Sequence, residues 1–299
     1  MKVLRNIKRY GSKHLMMLPA VIITIIFSYC PVVGVVLAFQ KYSPKNGFFG
    51  SKWVGLQHFR TIFSLPDFGR VVRNTIEISA MKIVAGIVFA VIFALFMHEL
   101  KNRRFKTIVQ TMTLFPHYVS WVVLAAIFVD IFSNEGIVNQ VIISLGLPEI
   151  DFFTNDSWFR VLLVSTDVWK GFAYNSIIYL SALGGIDNAL YEAAYMDGAG
   201  RWKCAWHISL PCIGQIVAMT AILAVGGILS AGFDQIYNMY NTTVLDTADV
   251  LDTYVYRIGL EGGQYSLGTA IGLFKSAVGA ILFGITNWIA YRFTDYRIL

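Results

Sequence analysis

The chain of 299 residues carries 24 Lys and Arg against 18 Asp and Glu, a net charge of +6, yet only 14% of it is charged and 56% is hydrophobic, with a mean hydropathy of +0.60. Soluble domains are roughly half apolar and a quarter charged, so this balance excludes a soluble protein and implies an integral membrane one. The basic residues gather at the flanks of apolar runs instead of forming a nucleic-acid stripe, and Cys30, Cys204 and Cys212 show neither disulfide nor metal-ligand spacing.

In chain order, residues 1–14 form a basic segment with Lys2, Arg5, Lys8, Arg9 and Lys13, followed by an apolar run from about Leu15 to Phe39. That run is longer than the core of a secretory signal and predicts a retained spanning helix, kinked or broken near Pro31. Gln40 to Arg70 is mixed and Gly-, Pro-, Lys- and Phe-rich, an extramembrane stretch. A second span is expected over Val71–His98, a tight basic turn over Lys101–Lys106, and a third span over Thr107–Phe132 with Pro116 inside it. An outer loop with Glu135, Glu149, Asp151 and Asp156 precedes the fourth span, Trp158–Leu183. A loop at 184–211 leads to the fifth span, Cys212–Gly232; an outer loop at 233–266 leads to the sixth, Leu267–Tyr291, and a tail at 292–299. Each run has about the 20 residues needed to cross a bilayer core. The predicted fold is therefore all-α, with six transmembrane helices in one domain at 15–291 and both termini on one side.

The distribution of basic residues orients that domain. Thirteen Lys and Arg fall in the N-terminal segment, the Lys101–Lys106 turn, the 184–211 loop and the tail, against six on the opposite side: Lys41, Lys45, Lys52, Arg60, Arg70 and Arg257. The excess puts both termini and the 184–211 loop in the cytoplasm of a multi-pass plasma-membrane protein.

The 184–211 loop has a pattern of its own: Glu192-Ala193-Ala194-Tyr195-Met196-Asp197-Gly198, then nine residues, then Ile208-Ser209-Leu210-Pro211. Asp187 can cap a short helix, near whose start Glu192 is favoured by the helix dipole. The two alanines allow close approach of another surface, and Gly198 can turn with positive φ. The product is a bent two-helix knob, its second arm carrying Trp202 and Trp206 on one face until Pro211 interrupts.

Ionisable groups inside spans are costly and face a cavity, a partner or each other. Counting from the outer ends at about 1.5 Å per residue, Lys82, Asp167, Lys170 and Lys275 fall roughly 12 to 18 Å deep. Asp167, Lys170 and Tyr174 lie at i, i+3 and i+7 with Asn175 beside them, one face suited to sugar hydroxyls, with Trp121 and Lys275 as further candidates. The structural alternative is an Asp167–Lys170 ion pair, with Lys82 and Lys275 bonded to backbone carbonyls or a partner. Arg73 and Glu77, one turn apart near the outer interface, read as structural.

The loop pattern Glu-Ala-Ala-x3-Gly-x9-Ile-x-Leu-Pro resembles the cytoplasmic signature of permeases in binding-protein-dependent ABC importers. Leu114–Trp121, Ala231–Asn238, Asp252–Arg257 and Leu273–Ser276 extend the resemblance to the complex-carbohydrate, or lipoprotein-B, permeases common in Gram-positive bacteria. The resemblance implies a type I importer permease fold with a cytoplasmic coupling loop. In it Glu192, Ala193, Ala194, Asp197, Gly198, Ile208, Leu210 and Pro211 engage a separate ATPase. It also implies a second homologous permease, two copies of that ATPase, a lipid-anchored extracellular binding protein and an oligosaccharide cargo. The sequence has no Gly-x4-Gly-Lys-Ser/Thr phosphate loop, so the chain is expected to be no enzyme and to bind no cofactor or metal, the partner ATPase using ATP and Mg. A permease for a non-sugar solute and an ion-coupled secondary sugar transporter are the alternatives; the latter requires repeat symmetry that the sequence lacks. A polytopic enzyme would need clustered His or carboxylates, but the five His are scattered.

Overall fold

The structure, a computed structural model, describes residues 10–294; Lys2, Arg5, Lys8, Arg9 and the end of the expected tail, with Arg297, lie outside the described residues. Helix α1 (Gly11–Thr24) continues as a π-helical turn, Ile25–Tyr29, and a 3-10 stretch, Cys30–Phe39. The change of winding occurs where Pro31 cannot donate to the preceding turn, so the kink expected there takes the form of altered pitch. Two short strands, β1 (Gln40–Lys41) and β2 (Lys52–Trp53), pair antiparallel with Gln40 opposite Trp53, and α2 (Gln57–Ser64) follows. The main helices come next: α3 (Phe68–Glu99), α4 (Arg103–Tyr118), α5 (Trp121–Phe132), α6 (Ile137–Ser144), α7 (Asp156–Leu183) and α8 (Asn188–Met196). The C-terminal part comprises α9 (Leu210–Gly226), α10 (Phe233–Met239), α11 (Leu251–Tyr256) and α12 (Tyr265–Thr294).

Five helical stretches among the described residues are long and apolar enough to cross a membrane: Gly11–Phe39, Phe68–Glu99, Trp121–Ser144, Arg201–Gly226 and Tyr265–Ile289. The sixth crossing is α7, whose 28 residues span about 42 Å but whose apolar content is diluted by Asp167, Lys170, Tyr174 and Asn175. The third span departs from expectation. Instead of running unbroken over Thr107–Phe132, it stops at Tyr118 and restarts at Trp121, with Ser120 Oγ accepting from Val123 N–H (3.4 Å) to cap the new helix.

The chain divides into two compact units, one formed by residues up to Leu65 with Val255–Phe274, the other by Pro66–Tyr254 with the residues from Lys275. In the first, Phe39 stacks on Trp53 (5.7 Å), His58 Nε2 bonds the Gln40 carbonyl (3.0 Å), and Tyr42 N–H donates to Ser266 Oγ (3.0 Å). In the second, α3 and α7 pack side by side along their lengths. Its core joins Ile78, Leu124, Phe128, Phe159 and Leu163 to Ile236, Met239, Val244 and Val250. The segment after Gly232, expected as a polar outer loop, thus supplies a large part of the apolar core through α10 and the turns after it.

Candidate functional site

The 184–211 loop folds as two helical arms. Asp187 Oδ1 accepts from Ala189 N–H (3.0 Å) and starts α8. Gly198, at φ +77°, ends that helix, with Ala199 N–H reaching back to the Ala194 carbonyl (2.9 Å), a turn that a side chain would strain. The second arm, Arg201–Cys204, runs through a π turn at Ala205–Ser209 straight into α9. Pro211 therefore does not interrupt the helix. Its missing N–H is accommodated by the wider π turn just before it, where Leu210 N–H bonds the Ala205 carbonyl.

Tyr191 ties the arms together through its hydroxyl and Ser209 Oγ (2.9 Å), and burial pushes its phenol pKa up despite that hydrogen bond. Glu192, Ala193, Asp197 and Gly198 are exposed, as are Leu190, Tyr195 and Met196, the last at 88%. Ala194, Ile208 and Leu210 are half-buried, and Pro211 is exposed. The knob thus offers a mixed acidic and apolar surface. Trp202 and Trp206 turn elsewhere: with Phe96, on which Trp202 packs edge-on (5.9 Å), they line an apolar groove of about 520 Å³ between α3 and the start of the fifth span.

The second candidate site is a cavity of about 810 Å³ between α3, α7 and α9, lined among others by Lys82, Asp167, Tyr174, Asn175 and Ser230. Lys82 is buried and fully engaged. Its Nζ donates to the Ala231 carbonyl (2.7 Å) and to Gln235 Oε1, and it pairs with Asp167 Oδ1 at 3.5 Å. Gln235, itself fully buried, donates to the Leu163 carbonyl and to Thr166 Oγ1, both at 2.8 Å. Gly232 makes the approach possible: at φ +95° it starts α10, and a Cβ there would lie 3.3 Å from Lys82 Nζ.

The remaining predicted path residues separate. Asp167 meets Lys82 and not Lys170, so the Asp167–Lys170 pair does not form. Lys170 instead points at the break between α4 and α5, donating to the carbonyls of Pro116 (3.4 Å), His117 (3.2 Å) and Val119, with its ammonium 5.2 Å from the Trp121 ring. They lie at a helix end, where a cation is favoured, and of the three only the Pro116 carbonyl also accepts a backbone N–H, that of Val119 (3.2 Å). Trp121 is thereby a packing and cation–π partner, set against the apolar core. Lys275 pairs with Asp252, away from the cavity lining. Tyr174 stays on the cavity wall, stacked flat on His117 (3.9 Å, 4°), with Asn175 exposed beside it.

Sequence reasoning missed Arg160, which organises the outer end of α7. It bonds Glu77 Oε2 (2.8 Å), Asn74 Oδ1 (2.9 Å) and the Thr247 carbonyl (3.3 Å), while Arg73 holds the other Glu77 oxygen at 2.7 Å. An arginine four residues inside a 28-residue helix was the available signal. The Lys82–Gln235 link joins residues 153 apart and had none.

Against this geometry, residues 83–296 match the family described as the binding-protein-dependent transport system inner membrane component. The chain belongs to that family. It is 40% identical over 288 residues to Protein LplB of Bacillus subtilis (strain 168), covering 96% of this permease and 91% of LplB. It is also 40% identical over 283 residues to the polygalacturonan/rhamnogalacturonan transport system permease protein YteP of the same organism, covering 94% and 88%. Among solved structures it resembles a chain of a bacterial alginate ABC transporter in complex with alginate pentasaccharide-bound periplasmic protein, with a TM-score of 0.88, 34% identity and full coverage of both chains. The all-α membrane permease fold follows from both.

Proposed function

We propose that this chain is one permease subunit of an ATP-driven importer of oligosaccharides delivered by an extracellular binding protein. The observation that carries the reading is the joining of two surfaces by one helix. At its inner end α7 runs into the exposed Glu192–Gly198 knob, and halfway along it sets Asp167, Tyr174 and Asn175 on a cavity wall. Polar side chains at that depth are incompatible with lipid and suit a water-filled path. The carbohydrate names of relatives such as YteP, and the alginate pentasaccharide bound to the periplasmic protein in complex with the alginate transporter, support a sugar cargo.

In this reading the termini and the 184–211 loop are cytoplasmic, and a second, homologous permease completes the path. Two copies of an ATPase use ATP and Mg. Glu192 pairs with a basic group of one copy, Ala193 and Ala194 line the contact, Asp197 and Gly198 make the turn, and Ile208, Leu210 and Pro211 join the knob to the fifth span. ATP closing the ATPase pair moves both knobs together and opens the cavity outward; hydrolysis resets it. Each ligand drives its step by preferring one state.

The test is a pull-down from native membranes with this chain as bait, beside a variant carrying Glu192→Ala and Gly198→Pro. The native chain should bring down an ATPase and a second permease, and the variant, still inserted, should lose the ATPase. An intact chain that brings down no ATPase refutes the reading.

A further inference from the structure

The charges around the cavity point to what kind of sugar it accepts. Among the described residues, Lys82 and Asp167 are the only charged groups on its wall. They do not meet a cargo equally. The Lys82 side chain is 7% exposed and its three N–H groups have three acceptors: the Ala231 carbonyl, Gln235 Oε1 and Asp167 Oδ1. The Asp167 side chain is 37% exposed, so the ionic group offered to the cavity is a carboxylate. The two other lysines at similar depth are also committed, Lys170 to the carbonyls between α4 and α5 and Lys275 to Asp252. The rest of the polar wall is neutral, and includes the Tyr174 hydroxyl, the Asn175 amide, Thr220, Ser230, and Ser79, whose hydroxyl has no hydrogen-bond partner.

A carboxylate accepts hydrogen bonds and cannot donate them, whereas amides and hydroxyls do both. Sugar hydroxyls satisfy such a wall; a uronate carboxylate sets oxygen anion against oxygen anion in a partly desolvated space. We propose that this chain's half of the path is built for the hydroxyl faces of uncharged sugars, with Asp167 discriminating against uronates. In this it differs from the acidic cargo named for the alginate and polygalacturonan transporters that it resembles. The inference rests on the oligosaccharide-path reading above.

The test uses the complete importer, both permeases with the ATPase pair, purified in detergent without binding protein, so that the permease's own preference is measured. The probes are a neutral galactose trisaccharide and trigalacturonate, with affinities read by calorimetry. The native complex should bind the neutral probe about tenfold or more tightly than the uronate, Asp167→Asn should shrink that ratio several-fold, and Asp167→Glu should keep it. Equal or tighter uronate binding by the native complex, or an unchanged ratio in Asp167→Asn, overturns the proposal. Binding of neither probe by a complex whose ATP hydrolysis responds to loaded binding protein would instead overturn the path reading on which it rests.

Discussion

Replacing Lys82 by Met removes one cation from the centre of the second unit while keeping most of its volume. Two charge-assisted hydrogen bonds disappear, those to the Ala231 carbonyl and to Gln235 Oε1. Such bonds contribute about 1.5–3 kcal/mol each, and their buried acceptors are left without a donor. The Asp167 ion pair, at 3.5 Å the longest of the three Lys82 contacts and with its carboxylate 37% exposed, adds less than either bond. The expected loss is about 3–5 kcal/mol, in line with breaking a buried pair from one side. Thermal unfolding in detergent, followed by tryptophan fluorescence, should show Tm lowered by about 10 °C. A double-mutant cycle with Gln235→Leu locates the effect: the two substitutions should couple by about 1 kcal/mol or more, since they remove one shared bond. A Lys82→Met protein that melts within about 2 °C of native, or strict additivity with Gln235→Leu, would show that this link does not hold α10 to α3.

Gly198→Ala places a side chain at φ +77° and should cost about 1–2 kcal/mol locally, seen as faster proteolysis of the knob and weaker ATPase capture with the rest of the fold intact. Arg160→Met strips three partners from α7 and leaves Glu77 with Arg73 alone; with Glu77 35% exposed the loss rests mainly on the bonds to Asn74 and the Thr247 carbonyl, about 2 kcal/mol by the same melting assay. Tyr191→Phe removes the bond between the knob's arms, a loss of about 1 kcal/mol measured by hydrogen exchange of the Arg201–Ser209 amides. Because burial raises the folded Tyr191 pKa above its ordinary value, its contribution is whole at neutral pH. It is lost only as pH rises past about 10, where the unfolded chain ionises first.

The parts legible in the sequence were those written in local pattern. Apolar runs with basic flanks gave the spans, and the Asp187 cap and Gly198 turn of the knob followed from residue types that favour those conformations. Residue chemistry also marked Lys82, Asp167, Lys170 and Lys275 as expensive, but it could not pair them. Asp167 and Lys170 share a helix face by spacing, yet the side chains diverge because unsatisfied carbonyls at Val119 outbid a single neighbouring carboxylate for Lys170. Those carbonyls are open to Lys170 because the third span breaks there, where Ser120 caps the new helix. The segment after Gly232 was misread for a related reason. Its polar residues, Gln235, Asp249 and Thr253, are buried because each has distant or local partners that a linear pattern does not display.

These pairings also bear on how motion at the knob could reach the cavity. Helix α7 is held at three levels: by Arg160 to α3 and the Thr247 turn, by its Leu163 carbonyl and Thr166 to Gln235, and by Lys170 to the α4–α5 break. In the proposed mechanism a 28-residue helix tied at three heights would shift as a rod with what it holds. The last turn of that rod is followed within four residues by the Asp187 cap of the knob. In the proposed mechanism a displacement of Glu192–Gly198 would reach Asp167 through the Gly184–Asp187 turn and α7, and pass onward through Lys82 to the Ala231–Gln235 segment. The longest contact along that route is Lys82–Asp167, at 3.5 Å and partly open to the cavity, where the hydroxyls of the proposed cargo would compete for the same carboxylate. In the proposed mechanism cargo and knob would act on one pair from opposite ends, the arrangement that reciprocal coupling between two sites requires.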